Sequence, residues 1–320
     1  MTKKFGQEMS VAIAIAALCA VLAFAAPSYF SRENLKDLFL ANMPVLVAAI
    51  GMTLVILTGQ IDVSVGSIFA VCGVAAGVIA KSGVPTIVAC LAACAIGAAL
   101  GAMNGALVAY VRIPSIVVTL ATMTVLRDGL RWMTQGAWIA NLPSGFQWFG
   151  LTQAIFPLAI FLIIAVLVAM TAWGLRYLAA GRAVYATGSN AEAARVAGIN
   201  VHRLVFLVFT IMGALAGLAA VFNSVRFNQI PSNAGLGLEL KLIAAVVVGG
   251  TSITGGRGSI AGTVLGVILL GAIGPALTFL VISAYWETAL QGGIILAAIT
   301  IDSFRTHVER QGAAVAASRA

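Results

Sequence analysis

Four polar side chains stand out against an apolar background. Asp62, Ser64, Ser67 and Asn104 lie in or beside long hydrophobic runs, with Gly66 among them. A carboxylate, two hydroxyls and an amide can donate and accept hydrogen bonds, but their spacing fits no metal-ligand set and no nucleophile with its base. Polar groups inside a membrane cost free energy, so they face a cavity or tie broken helices together. Both roles stay open for this set, with Asp62 leaning to the structural one because it sits at a helix start. A second polar group is AVYATGSNAEAARVAGINVHR, Ala183–Arg203, and a third is the turn Gly255, Gly256, Arg257, Gly258. Arg257 there could meet a partner or simply anchor topology. The chain has no H-E-x-x-H, no G-x-S-x-G and no carboxylate cluster. His202 and His307 fall in connecting regions, where catalysis is not expected.

The elements that must position these groups are apolar helices. Of 320 residues, 61% are hydrophobic and 9% charged, and the mean hydropathy is +1.07. Soluble proteins carry about 25% charged residues, so this is an integral membrane protein. The runs approach the roughly 20 residues a spanning helix needs and lack the alternation of barrel strands. They fall at about 9–26, 43–58, 64–80, 86–110, 114–134, 155–175, 203–223, 239–254, 260–280 and 283–302. The fold expected is therefore all-α, a single transmembrane domain over residues 1–320 with about ten spans, some broken or re-entrant. The second, third and eighth runs are short and interrupted by glycine. Ser31–Asp37 reads as a polar loop or short surface helix. The AFAAPS stretch mimics a signal-peptide cleavage site, but the many later spans favour a retained first helix.

The net charge of +8 sits at the ends of runs, as the positive-inside rule arranges it, without the basic stripe of a nucleic-acid binder. Ten spans with an inner N-terminus place seven basic residues outside: Arg32, Lys36, Lys81, Arg127, Arg131, Arg226 and Lys241. Eleven lie inside, Arg305, Arg310 and Arg319 among them. This puts both termini and the loop 183–203 in the cytoplasm.

Small residues recur at every fourth position: Gly97, Gly101 and Gly105, and likewise Gly73/Gly77, Gly213/Gly217 and Gly262/Gly266. That spacing lets helices approach closely in lipid, and packing within the chain is preferred to a dimer motif. Cys19, Cys72, Cys90 and Cys94 read as small hydrophobes. QIDVSVGSI (Gln60–Ile68) and SITGGRGSI (Ser252–Ile260) match at four positions, a weak parallel repeat of the kind found beside transporter pathways. Gly136–Gly150, with Trp138, Trp148 and Phe149, reads as an outer surface loop.

The stretch 183–203 predicts one short helix. Ser189 and Glu192 fit a capping box, Gly188 allows a turn before it, and Gly198 supplies the left-handed C-terminal position. A helix of about eight residues is marginal alone, so docking on a partner is preferred to a plain cytoplasmic connector. Ala191, Ala194 and Gly198 offer a small-residue face, and Glu192 and Arg195 offer charge at its ends.

These residues resemble the permease subunit of bacterial ABC importers for monosaccharides, the ribose, xylose, galactose, rhamnose and autoinducer-2 group. The similarity rests on four segments. They are LTGQIDVSVGSI (Leu57–Ile68), NGALVAYVRIPSIVVTLATMTVLRDG (Asn104–Gly129), the polar stretch 183–203 together with the Gly181-Arg182 pair before it, and PSNAGLGLELKLIAAVVVGGTSITGGRGSIAGT (Pro231–Thr263). The resemblance implies a bacterial inner-membrane location and a second permease chain, identical or sister. It implies a periplasmic substrate-binding protein and an ATP-binding cassette ATPase that holds ATP and Mg. This chain would hold no cofactor or metal and do no catalysis, and it contains no Gly-Lys pair of a phosphate loop. Residues 186–200 would be the coupling helix, with Thr187, Gly188, Ser189, Asn190, Glu192, Ala193, Ala194, Arg195 and Gly198 at the ATPase. Asp62, Ser64, Gly66, Ser67 and Asn104 would line the sugar pathway. Gln60 and Lys241 depart from the family pattern, where Gly and Asp are usual. The alternatives are an ion-coupled secondary transporter and an ABC permease for branched-chain amino acids. The acids Asp62, Asp128, Glu239, Glu287 and Asp302 all fall near run ends, which weighs against ion coupling.

Overall fold

The computed structural model describes residues 2–283, 285–297 and 300. Its helices are α1 (Thr2–Ala25), α2 (Arg32–Leu57), α3 (Val65–Lys81), α4 (Thr86–Ala109), α5 (Ser115–Thr134), α6 (Phe156–Tyr177), α7 (Ala179–Ser189), α8 (Ala191–Val196), α9 (Val201–Ser224), α10 (Leu238–Val248) and α11 (Ile260–Phe279). Residues 286–297 are helical as well. Among the described residues, six helices are long and apolar enough to cross a membrane: α1, α2, α4, α6, α9 and α11; α3 is a shorter apolar helix. The architecture is thus all-helical and multi-pass.

Two boundaries differ from the sequence reading. Ser31–Asp37 is the start of α2, where the Ser31 side chain accepts the Asn34 N–H at 3.4 Å. The run at 239–254 is helical only over the 11 residues of α10, about 16 Å at the usual rise. Gly249 follows as its cap, and Gly250, at φ +93°, turns the chain away. A helix of that length does not cross a bilayer alone.

Helix α2 is the centre of the bundle, with 78% of its apolar span buried, against 11% for α1 and 17% for α6. The glycine stripes set the closest crossings, and they act within the chain. A Cβ at Gly97 or Gly101 would strike the α9 backbone at Gly213 and Phe209, and one at Gly217 would strike Ala93 on α4. Gly262 and Gly266 of α11 likewise abut Gly249 and Ala245. Thr53 of α2 and Thr263 of α11 share a hydroxyl hydrogen bond of 2.7 Å.

The bundle has two ends. At one end α2, α4, α6 and α10 finish, α5, α9 and α11 begin, and α7 and α8 project, whereas α3 begins inside the bundle, with Gly66 against Glu239 in the first turn of α10. His202, opening α9, binds the Ala109 carbonyl closing α4 at 2.6 Å. At the other end the loop 135–155 folds down as a cap. Ile139 and Ile230 exchange backbone hydrogen bonds of 3.0 and 2.9 Å, and the Trp148 N–H reaches the Val225 carbonyl at 2.8 Å. Trp148 and Phe149 pack on Phe156, and Phe146 is fully buried. Of the residues expected on a surface loop, only Trp138 is exposed among the three large aromatics named for it.

Arg127 and Lys241, assigned to outer loops by charge, instead lie within α5 and α10. Arg305, Arg310, Arg319 and His307 lie outside the described residues.

Candidate functional site

Between α2 and α3 the chain runs without helix through residues 58–64. Such backbone inside an apolar bundle needs partners for its N–H groups. Helix α5 supplies them: the Ile61 N–H donates to Ser115 Oγ at 3.3 Å and the Val63 N–H to Thr119 Oγ1 at 3.1 Å. Asp62 Oδ1 accepts both the N–H and the O–H of Ser64, at 2.9 and 2.6 Å. Asn104 donates to Ser64 Oγ at 2.8 Å and accepts from the Thr122 hydroxyl at 2.7 Å. Ser67 donates to the Ser64 carbonyl at 2.7 Å. Asp62, Ser64, Ser67 and Asn104 are all fully buried. The structure therefore brings four of the five pathway candidates into one network that holds the break between α2 and α3. The fifth, Gly66, gives room to a neighbouring pair, because a Cβ there would strike Glu239, the Gly235 carbonyl and Arg127.

Two of the polar segments, the 183–203 stretch and the turn 255–258, meet the end of α2 at the projecting end. Gly256 donates its N–H to the Leu57 carbonyl at 3.0 Å. Gly188 sits against both of these groups, and Gly256 also abuts Ser189. Gly255 lies on Gly59, and the Ser252 N–H closes the turn by binding the Arg257 carbonyl at 2.9 Å. Gly258 packs on Thr251. Tyr185 donates its hydroxyl to the Gly258 carbonyl at 3.1 Å, and burial raises its pKa. The second half of the weak repeat thus meets the turn that leads into the first half, and the polar hairpin rides on that junction.

Details of that hairpin correct the sequence reading. There are two helices, not one. Gly188 lies inside α7 and makes a close approach rather than a turn. Ser189 is the last residue of α7, so the cap falls to Asn190, whose side chain accepts the Glu192 and Ala193 N–H groups at 3.0 Å each. Helix α8 spans six residues rather than eight. Gly198 does hold the left-handed position, at φ +83°. Ala194, expected on an outward small-residue face, is buried in the chain's own packing, and Thr187 is buried too. The outward face is Glu192, Ala193, Arg195 and Val196, with Glu192 and Arg195 paired at 3.3 Å.

Three features escaped the sequence reading. Ser115, Thr119 and Thr122 stand one and two turns apart on α5, a hydroxyl stripe whose spacing was visible in the sequence. Arg127 and Glu239 pair at 3.7 Å, and Lys241 pairs with Glu287 at 3.3 Å. Glu239 and Glu287 do lie at run ends, each the second residue of its helix, but each is matched by a cation.

A multi-pass helical bundle with a non-helical break after its central helix and a polar hairpin at one end is an architecture suited to a membrane transport subunit. Residues 34–299 match the family described as the permease component of branched-chain amino acid transport systems, and the chain belongs to that family. It is 36% identical over 305 residues to the autoinducer 2 import system permease protein LsrC of Escherichia coli K12/DH10B, covering 95% of this chain and 89% of that one. Identity to LsrC of Yersinia pseudotuberculosis YPIII is 37% over 306 residues (95% and 87%), and to that of Enterobacter sp. 638 it is 38% over 296 residues (92% and 86%). No solved structure matches the chain.

Proposed function

We propose that this chain is the permease subunit of an ATP-driven ABC importer of the bacterial inner membrane, and that its cargo is a monosaccharide or a related furanose signal such as autoinducer-2. The observation that carries the reading is the seat of the α7–α8 hairpin on Leu57, Gly255 and Gly256. A push on α8 reaches the end of α2 and the turn between α10 and α11 together. Glu192, Ala193, Arg195 and Val196 form the face an ATPase would grip, with the hairpin in the cytoplasm. Asp62, Ser64, Ser67 and Asn104 keep the break between α2 and α3 in shape as the bundle rocks, beside the pathway. A periplasmic binding protein delivers cargo at the capped end, and a second permease chain completes the pathway. Identity to autoinducer-2 permeases over nearly the whole chain supports this cargo class over branched-chain amino acids.

The test is uptake of labelled ribose, rhamnose, xylose and autoinducer-2 by cells carrying the complete importer. Uptake of one of these should follow ATP, survive an uncoupler, and be lost in Glu192→Ala/Arg195→Ala at unchanged membrane abundance. Uptake that collapses with the proton gradient at constant ATP and ignores these substitutions overturns the reading.

A further inference from the structure

At the capped half of the bundle, α2, α3, α9, α10 and helical residues 286–297 enclose a cavity of about 340 Å³ that opens to the surface. Its wall carries Lys241, Glu287, Thr288, Gln291 and Asn223, and Phe69 supplies an apolar surface. Glu287 Oε1 accepts hydrogen bonds from Lys241 at 3.3 Å and from Gln291 at 3.1 Å. The other carboxylate oxygen is lodged against Gly274 of α11, where only a glycine leaves room. Gly274 is 14 residues beyond the start of α11, about 20 Å along the helix. The site therefore lies far from the α7–α8 hairpin.

Charged groups partly buried in an apolar bundle are costly and mark function more often than scaffold. The chemistry they offer is specific. The lysine ammonium keeps two donors after its bond to Glu287. Glu287 keeps acceptor capacity, Asn223 and Gln291 offer both, and Thr288 offers a hydroxyl. The charges of Lys241 and Glu287 cancel, so an anion or a cation gains no net field on entering. The volume is at the small end of ligand pockets.

We infer that this cavity is a transient cargo site, selective for uncharged polyhydroxylated molecules of monosaccharide size, with Lys241 and Glu287 as its specificity-determining pair. The inference rests on the importer reading above and names where that importer reads its cargo.

The experiment uses cells with the complete importer and the same four labelled probes, scoring the rate for each and the ratios between them. The charge-swapped variant Lys241→Glu/Glu287→Lys keeps the ion pair but exchanges donor and acceptor positions. It should keep wild-type abundance and melting temperature, lose roughly 10-fold or more in uptake of the best probe, and alter the ratio between probes. Asn223→Leu, which leaves the pair intact, should alter the ratio in the same assay and decides the matter if the swapped variant fails to fold. Wild-type rates in the swapped variant, or an unchanged ratio in Asn223→Leu, would mean a structural tie and overturn the cargo site. Failure of the wild type to take up any of the four probes overturns the importer reading and this site with it. Wild-type uptake with unaltered variant ratios overturns this site alone.

Discussion

The backbone of Gly188 lies against the carbonyl of Leu57, so closely that a side chain on Gly188 would strike both that oxygen and the amide of Gly256. Two segments 131 positions apart in the chain meet there with nothing but main chain between them. Main chain cannot swing aside as a flexible side chain can. Gly188→Ala should therefore cost on the order of 1–3 kcal/mol by overpacking and should separate the hairpin from the ends of α2 and α10. Gly198→Ala is the control. Nothing surrounds Gly198 within contact distance, and only its φ of +83° opposes a side chain, a cost of roughly 1 kcal/mol. Melting in detergent together with ATP-driven uptake checks this: Gly188→Ala should lose both, and Gly198→Ala should keep most of each. Equal behaviour of the two would remove the close approach from the coupling argument.

The cap of α8 gives a sharper comparison between neighbours. Asn190 holds two N–H groups of the first turn, whereas Ser189 closes α7 without capping α8. Asn190→Ala should destabilise the hairpin by about 1 kcal/mol and Asn190→Ser by less. Ser189→Ala should be nearly silent. Hydrogen exchange at residues 191–197 reads the effect directly, with the largest acceleration expected in Asn190→Ala, a smaller one in Asn190→Ser and none in Ser189→Ala.

Much of this arrangement was legible in the sequence, and the misses have physical causes. The glycine stripes on α4, α9 and α11 read correctly as packing within the chain because small residues one turn apart say where two helices touch. The left-handed Gly198 read correctly because backbone geometry there is local. The cap slipped by one residue because Ser189 and Asn190 are both good caps, and only the length of α7, set by its packing on Leu57 and the glycine turn, chooses between them. The charge tally misplaced Arg127 and Lys241 because a lone cation beside an apolar run looks like a loop residue until its partner is known. Those partners, Glu239 and Glu287, are distant in sequence and come close only through tertiary folding. The pathway candidates were found as polar intruders, but their mutual bonding needed the hydroxyl stripe of α5.

That stripe makes Asn104 the hinge of a chain of bonds from Asp62 to Thr122. Asn104→Leu removes a donor and an acceptor at once and leaves the Ser64 and Thr122 hydroxyls short of partners in a dry interior. The cost should be about 2–4 kcal/mol, one unsatisfied group at each end. Asn104→Leu/Thr122→Val removes one of the stranded groups and should recover part of the loss. Melting temperatures of the purified variants measure it. A double variant no better than the single one would show that the network does not act as a unit.

Arg127 and Glu239 join the middle of α5 to the first turn of α10, beside Gly66 at the start of α3, with side chains only 14% and 11% exposed. Their attraction is set against the desolvation of both charges, so the pair adds little net stability, but breaking it strands a charge. Removing one partner from a buried pair costs about 3–5 kcal/mol, while replacing both with apolar groups is often neutral. Arg127→Met should thus destabilise strongly, Glu239→Gln somewhat less because an amide still offers hydrogen bonds, and Arg127→Met/Glu239→Leu should return close to the wild-type melting temperature. A double-mutant cycle on melting in detergent gives the coupling energy. Transport separates stability from motion: if the pair also sets the angle of the short α10 against α3, the double variant will fold normally yet import slowly. A double variant that melts no higher than Arg127→Met would mean the two residues act independently, and the pin between α5 and α10 would have to be sought elsewhere.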